Sequence, residues 1–193
     1  MIWTISKLRE MLLSNNVNIL LWGKGMSKTL EHLFFEIVKG ECEIEVKNGK
    51  VIRTIRALSI NVFYKDEILR EEYQKMKDGR FRRRKLDCSV AEKITREDKD
   101  LNDAVKRALE EELNILDITN DQIKYKRELD RYYESSEDYP GIAMNIKLYK
   151  FDTHLKYVQY NPYGYVEHQN DKDIFFVWTK NISNESYNNF KYF

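Results

Sequence analysis

The stretch AVKRALEEELNI, residues 104–115, sets three consecutive glutamates into a segment with helical spacing. Neighbouring helical side chains are turned about 100° from one another, so Glu110, Glu111 and Glu112 point in different directions. Glu112 falls four residues after Ala108 and seven after Val105, on the edge of the apolar stripe. A carboxylate at a core boundary is costly unless it is paired or bound to a cation. Glu111 is its neighbour on the helix surface, and two converging carboxylates suit one hard divalent cation. Glu110 points away and reads as solvated. The competing reading is a solvated charged face, because Lys106–Glu110 and Arg107–Glu111 are both i,i+4 pairs.

Two further stretches have the composition for phosphate chemistry. In WGKGMSKT a Walker A reading needs glycines one and six residues before the lysine, so that backbone amides wrap phosphate oxygens. Counting back from Lys28, those positions hold Ser27 and Trp22, and the motif is rejected in favour of a turn before a capped helix. In RFRRRKL a strand would put Arg80, Arg82 and Arg84 on one face and Phe81, Arg83 and Lys85 on the other. That face is either a phosphate or RNA-backbone binder or the charged guard of an edge strand. The tyrosines, among them Tyr132, Tyr133, Tyr139, Tyr160, Tyr163 and Tyr165, either stack a base or serve sheet core and turns.

The elements that must position these residues follow from periodicity. MIWTISKLREMLLSNN reads as a short amphipathic helix, since Lys7, Arg9 and Glu10 interrupt its apolar residues. Leu30, Leu33, Phe34, Ile37 and Val38 recur at helical spacing, with Ser27 or Thr29 to cap the start and Gly40 at the left-handed end. CEIEV, the Asn48-Gly49 turn and VIRTIRALSINVFY predict a hairpin, and ILREEYQKM, Asp78-Gly79 and RFRRRKL a second. Residues 100–113 form the clearest helix. The strands IKYKRELDRYYES, IAMNIKLYKFD and DIFFVWT follow, and the polar, aromatic tail NESYNNFKYF either docks or frays. Strands around a few helices without βαβ alternation point to an α+β chain or an αβα sandwich.

Composition limits the partners. With 193 residues, 34% charged and 42% apolar, the chain is long enough for one cored domain and is neither disordered nor membrane-spanning in character. A formal net charge of +1 provides no global pull toward nucleic acid or acidic lipid, so any basic surface is local. Cys42 and Cys88 are too few and too far apart for a zinc site or disulfide framework and read as buried thiols in a reducing compartment. The expectation is a soluble cytoplasmic protein.

RALEEELNI resembles the second half of a Nudix box, Arg-Glu-apolar-x-Glu-Glu-x-Gly-apolar, which follows a Gly and a Glu at fixed spacing. Arg107, Leu109, Glu111, Glu112 and Ile115 match it; Ala108 replaces the first motif glutamate and Asn114 the glycine. Asparagine is the next-best residue for a left-handed helix end. In SVAEKITREDKDLNDAV, placing Glu92 at the motif glycine brings Asp98 to the motif glutamate, with one extra residue before Arg107 and Glu97 as competitor. WGKG…KT…L…EIVKGE, DGRFRRR, SVAEKI, YPGIAMNIKLYKFD and YVEHQNDKDIFFVW are similar, in that order, to a poorly characterised branch of Nudix-like proteins, over residues 20–180. That branch commonly has a residue other than Glu after the box arginine, as here.

The resemblance implies an α+β fold of Nudix type, an αβα sandwich with a mixed central β-sheet preceded by an N-terminal helical segment. It implies one domain over 1–193: a helical extension at 1–40, a core at 41–180 and a tail at 181–193. The implied activity is hydrolysis of the pyrophosphate link in a nucleoside diphosphate-linked substrate, with Mg²⁺ or Mn²⁺ held by Glu111, Glu112 and Asp98. Arg107 would orient the glutamates, and Arg80, Arg82 and Arg84 would bind substrate. With alanine at 108 a further acid is needed, and Glu167 on a later loop is the candidate, beside His168; the alternative for Glu167 is a surface loop acid. Ala108 and the missing glycine support a second expectation, an attenuated Nudix-fold module that binds nucleotide, RNA or a protein. Cap removal from an RNA 5′ end is a third. Proteins of this kind often form homodimers.

Overall fold

Local chemistry sets most element ends. Thr29 caps a helix through a box with His32, and Gly40 closes it in the left-handed region at φ 71°. Asn48 and Gly49, both at positive φ, make the two-residue turn of the first hairpin, where Lys47 faces Lys50. A computed structural model describes residues 2–25, 27–84 and 86–181. Their α-helices are α1 (Ile5–Ser14), α2 (Leu30–Lys39) and α3 (Leu101–Leu113). The strands are β1 (Cys42–Lys47), β2 (Lys50–Tyr64), β3 (Glu67–Met76), β4 (Phe81–Arg82), β5 (Val90–Lys93), β6 (Ile123–Tyr133), β7 (Ala143–His154), β8 (Tyr165–His168) and β9 (Lys172–Lys180). The hydrogen-bonded order is β6-β7-β2-β3-β9-β8, with β1 and β5 on β2 and β4 on β3. The chain is thus α+β with an N-terminal helical segment. Among the described residues no helix is long and apolar enough to cross a membrane. The predicted tail lies outside the described residues from 182 onward.

Two compact units share these elements, and β2, β5, β6, β7 and α3 each contribute to both. The first unit contains the chain up to Leu58, Glu92–Ala104 and Lys126–Lys150. Its core joins Leu8 and Leu12 of α1, Leu33 and Ile37 of α2, and Trp22, Tyr139 and Ile142. Trp22 satisfies its indole by donating to the Pro140 carbonyl at 2.9 Å. Inside this unit lies a charged hub. Glu36 accepts from Lys28 Nζ at 2.9 Å, from Lys93 Nζ at 3.1 Å and from Arg53, whose side chain is 1% exposed. The Arg53 guanidinium stands 5.0 Å from the Tyr139 ring centre. Burial alone would raise the Glu36 pKa, but the charge of Arg53, then Lys28 and Lys93, brings it down to about 2.

The second unit contains Ser59–Ala91, Val105–Tyr125 and the chain from 151 onward. Ile60, Val62, Leu69, Val105, Leu109, Phe151, Ile174 and Phe176 are buried here. Ser89 Oγ donates to the Leu69 carbonyl at 2.6 Å and accepts from Val62 N at 2.9 Å, which ties the loop before β5 to two strands. A bulge between Glu71 and Tyr73 shifts the register of β3 on β9. It sets Glu71 opposite Phe176 and Gln74 opposite Ile174, so side chains three apart share the buried face. The strand expected over RFRRRKL is accordingly short. β4 ends at Arg82, after pairing Arg82 with Gln74 and Phe81 with Lys75, where the partner strand approaches its bulge.

Candidate functional site

α3 positions the glutamates through ordinary capping chemistry. Asp100 accepts from Asp103 N at 2.9 Å at its start. At its end Asn114 adopts φ 52°, and Ile115 N returns to the Leu109 carbonyl at 3.1 Å. Asparagine thus does here what the motif glycine would do. Ala104, Val105, Ala108 and Leu109 are fully buried, Glu110 is exposed, and Glu112 lies at the half-buried edge that the periodicity predicts. Arg107 Nη1 donates to Glu111 Oε2 at 2.7 Å, one turn along the helix; Glu111 is 55% exposed. An exposed pair of this kind contributes about 0.3–0.5 kcal/mol, so its interest lies in fixing the carboxylate's direction.

The second unit also buries Glu167. It stands on strand β8, not on the loop the sequence reading expects, because Val166 and Glu167 pair with Phe175 and Ile174 of β9. The register puts Glu167, Ile174 and Gln74 in one cross-strand row, and Tyr165, Phe176 and Glu71 in the next. Glu167 is 8% exposed; Gln169 donates to its Oε1, while Oε2 has no hydrogen-bond partner among the described residues. Gln74 Nε2 is equally buried and equally unpartnered among them. Beside them Arg84 clamps the 1% exposed Glu71 side chain through Nε, at 3.0 Å, and Nη2. The Glu71 hydrogen bond, then the charges of Glu71 and Glu167, raise the Arg84 pKa. A buried carboxylate oxygen without a donor can face a water or a cation. His168, next to Glu167, points outward to Asp173 at 2.8 Å, an aspartate that Lys77 also holds at 2.7 Å.

The remaining expected residues are placed individually. Asp98 belongs to the first unit, where Oδ2 accepts from Thr95 N at 2.7 Å and Thr95 Oγ1 at 3.1 Å and closes the turn ahead of α3. Arg80 follows the Asp78-Gly79 turn and pairs with Asp78 at 2.7 Å; Arg82 is exposed at the end of β4; Arg84 is already past it. The three arginines therefore do not form the common strand face predicted for them. Tyr139 is a core residue against Trp22, Tyr160 stacks on Tyr64 at 3.8 Å, and Tyr163 is 93% exposed. Among the described residues no group of three or more His, Cys, Asp or Glu side chains is arranged to hold a metal. Glu71 and Gln74 escaped the sequence reading. Strict alternation assigns them to opposite faces, and only the bulge brings them together.

No protein-family profile matches the chain, and no curated protein matches it. It is similar to the solved structure of the mutator MutT protein from Bacillus halodurans, at 16% identity over 65% of this chain and 67% of that one, with a TM-score of 0.36. It is also similar to the Ap4A hydrolase of C. elegans, at 16% identity over 66% and 80%, with a TM-score of 0.32. For a binary complex of the C. elegans Ap4A hydrolase the identity is 17% over 65% and 79%, with a TM-score of 0.32.

Proposed function

We infer that this chain is a Nudix-type hydrolase on an αβα sandwich, which cleaves the pyrophosphate link of a nucleoside diphosphate-linked substrate with a divalent metal. The observation that carries the reading is the buried Glu167 carboxylate, one oxygen of which has no hydrogen-bond partner among the described residues, in the same unit as the Glu111/Glu112 pair of α3. Two helix carboxylates are a sparse donor set, but one that fits Mg²⁺, which keeps several waters and takes one or two carboxylates together with substrate phosphates. When bound, the metal neutralises charge on the bridging phosphate oxygens. Glu111 and Glu112 would hold it, with Arg107 keeping Glu111 aligned. Glu167 Oε2 would accept the proton of the attacking water while Gln169 steadies Oε1. Arg80 and Arg82 are the substrate-facing cations of this reading. Arg84, committed to Glu71, acts as a positioning residue, and Asp98 acts through the turn it closes.

The second reading, a binding module with attenuated catalysis, is favoured by Ala108, which is fully buried where the motif carries its first glutamate. One experiment separates the two. The protein is incubated with nucleoside diphosphate derivatives and capped RNA in Mg²⁺ or Mn²⁺, beside Glu111→Gln/Glu112→Gln and Glu167→Gln variants. Turnover is expected from the wild type, with a loss of about 10²–10⁴-fold on removal of the base. Negligible turnover by all three proteins across the panel sinks the hydrolase reading for those substrates. Activity that survives in the double variant shows that the metal assignment is wrong.

A further inference from the structure

In the first unit a cavity of about 330 Å³ opens beside the C-terminus of α2. Arg56 of β2, Arg96 ahead of α3 and Lys147 of β7 line it, with Thr54, Thr95 and Tyr149 between them. Stacking and packing, more than carboxylates, hold the cations in place. The Arg56 guanidinium stands 5.8 Å from the centre of the Tyr149 ring. The Arg96 stem lies across Gly40, where any Cβ would overlap its Cγ and Cδ; the glycine that ends α2 thus also makes room for this arginine. Lys147 has only a loose 3.9 Å contact to Glu128. Neither Arg56 nor Arg96 has an ion-pair partner among the described residues. Glu41 and Glu43 also reach the cavity, but Glu41 is bound to Lys93 at 2.9 Å.

A cation near a helix C-terminus complements the helix dipole. That accounts for Arg96 alone. It leaves unexplained why Arg56 and Lys147 line the same small space, where three cations outnumber the lining carboxylates Glu41 and Glu43 and an added anion would relieve the repulsion. Two planar guanidiniums match phosphate oxygens in bidentate geometry, and the volume sits near the lower bound of about 300 Å³ for small-molecule sites. We propose that this cavity binds a phosphorylated small molecule of up to mononucleotide size, through Arg56 and Arg96 with Lys147 as third cation. The site uses none of the α3 glutamates and stands or falls separately from the hydrolase reading.

The test is calorimetric titration of the full chain with inorganic pyrophosphate and with ADP, in EDTA. Saturable binding is expected in the wild type, in the exposed control Arg9→Gln and in Glu111→Gln/Glu112→Gln. Arg56→Gln and Arg96→Gln should each weaken it at least about tenfold, as loss of a charge-assisted hydrogen bond does, with thermal melting unchanged. Tighter binding of ADP than of pyrophosphate identifies a nucleotide as the ligand; equal binding identifies the phosphoanhydride group itself as what is recognised. No saturation by either compound at millimolar concentration overturns the proposal, as does binding that both arginine variants retain.

Discussion

Replacing Glu36 with glutamine removes the anion at the centre of the first unit's charged hub while leaving its shape almost unchanged. The loss follows from the geometry. Arg53 is 1% exposed, and Glu36 is its carboxylate partner. The Glu36 pKa falls from 4.5 to about 2 on folding, which at about 1.4 kcal/mol per unit corresponds to about 3 kcal/mol at neutral pH. Protonation and the substitution alike strand the buried Arg53, so Glu36→Gln is expected to cost about 3–5 kcal/mol, the range for breaking a buried pair and a large part of a typical domain's stability. A depressed carboxyl pKa stabilises the fold fully above the unfolded value and loses that contribution as pH falls through the folded one. The wild type should therefore lose this increment between about pH 4.5 and 2, and the gap to the glutamine variant should close over the same interval. Urea unfolding followed by circular dichroism at pH 7, 5, 3 and 2 measures both. Arg53→Met is the internal control: it leaves Glu36 with Lys28 and Lys93, at 2.9 and 3.1 Å, and should cost less than Glu36→Gln. A cost below about 1 kcal/mol at pH 7 for Glu36→Gln, against the 3–5 expected for breaking a buried pair, refutes the reasoning. So does a gap that stays constant down to pH 2.

Two further outcomes test α3. Ala108→Glu puts a carboxylate at a fully buried position, so in EDTA it should lower stability by several kcal/mol; if the helix faces a metal site, millimolar Mg²⁺ should restore part of that in a thermal melt, and equal melting with and without metal refutes the placement. Asn114→Ala forces a β-carbon residue without asparagine's local hydrogen bonding into φ 52° and should cost about 1 kcal/mol in urea unfolding, whereas Asn114→Gly should be neutral or slightly stabilising; equal losses for both would show that φ is not what selects the residue.

What was legible in the sequence is what neighbours along the chain decide. The Thr29 cap, the Gly40 and Asn114 helix ends, the Asn48-Gly49 turn and the half-buried edge position of Glu112 all rest on hydrogen bonds, φ preferences and helical phase within a few residues. The fate of the charges was not legible, because it depends on partners that only strand register and packing supply. Glu36 meets Arg53 from 17 residues away and Lys93 from 57. Glu167 reads as a loop acid until pairing with β9 turns it inward, and Glu71 meets Arg84 on a face that exists only because β3 carries a bulge. A carboxylate run announces that chemistry is available. Whether a given oxygen is solvated, clamped by arginine or left free in a buried row is decided by the low dielectric and the distant donors that folding brings around it.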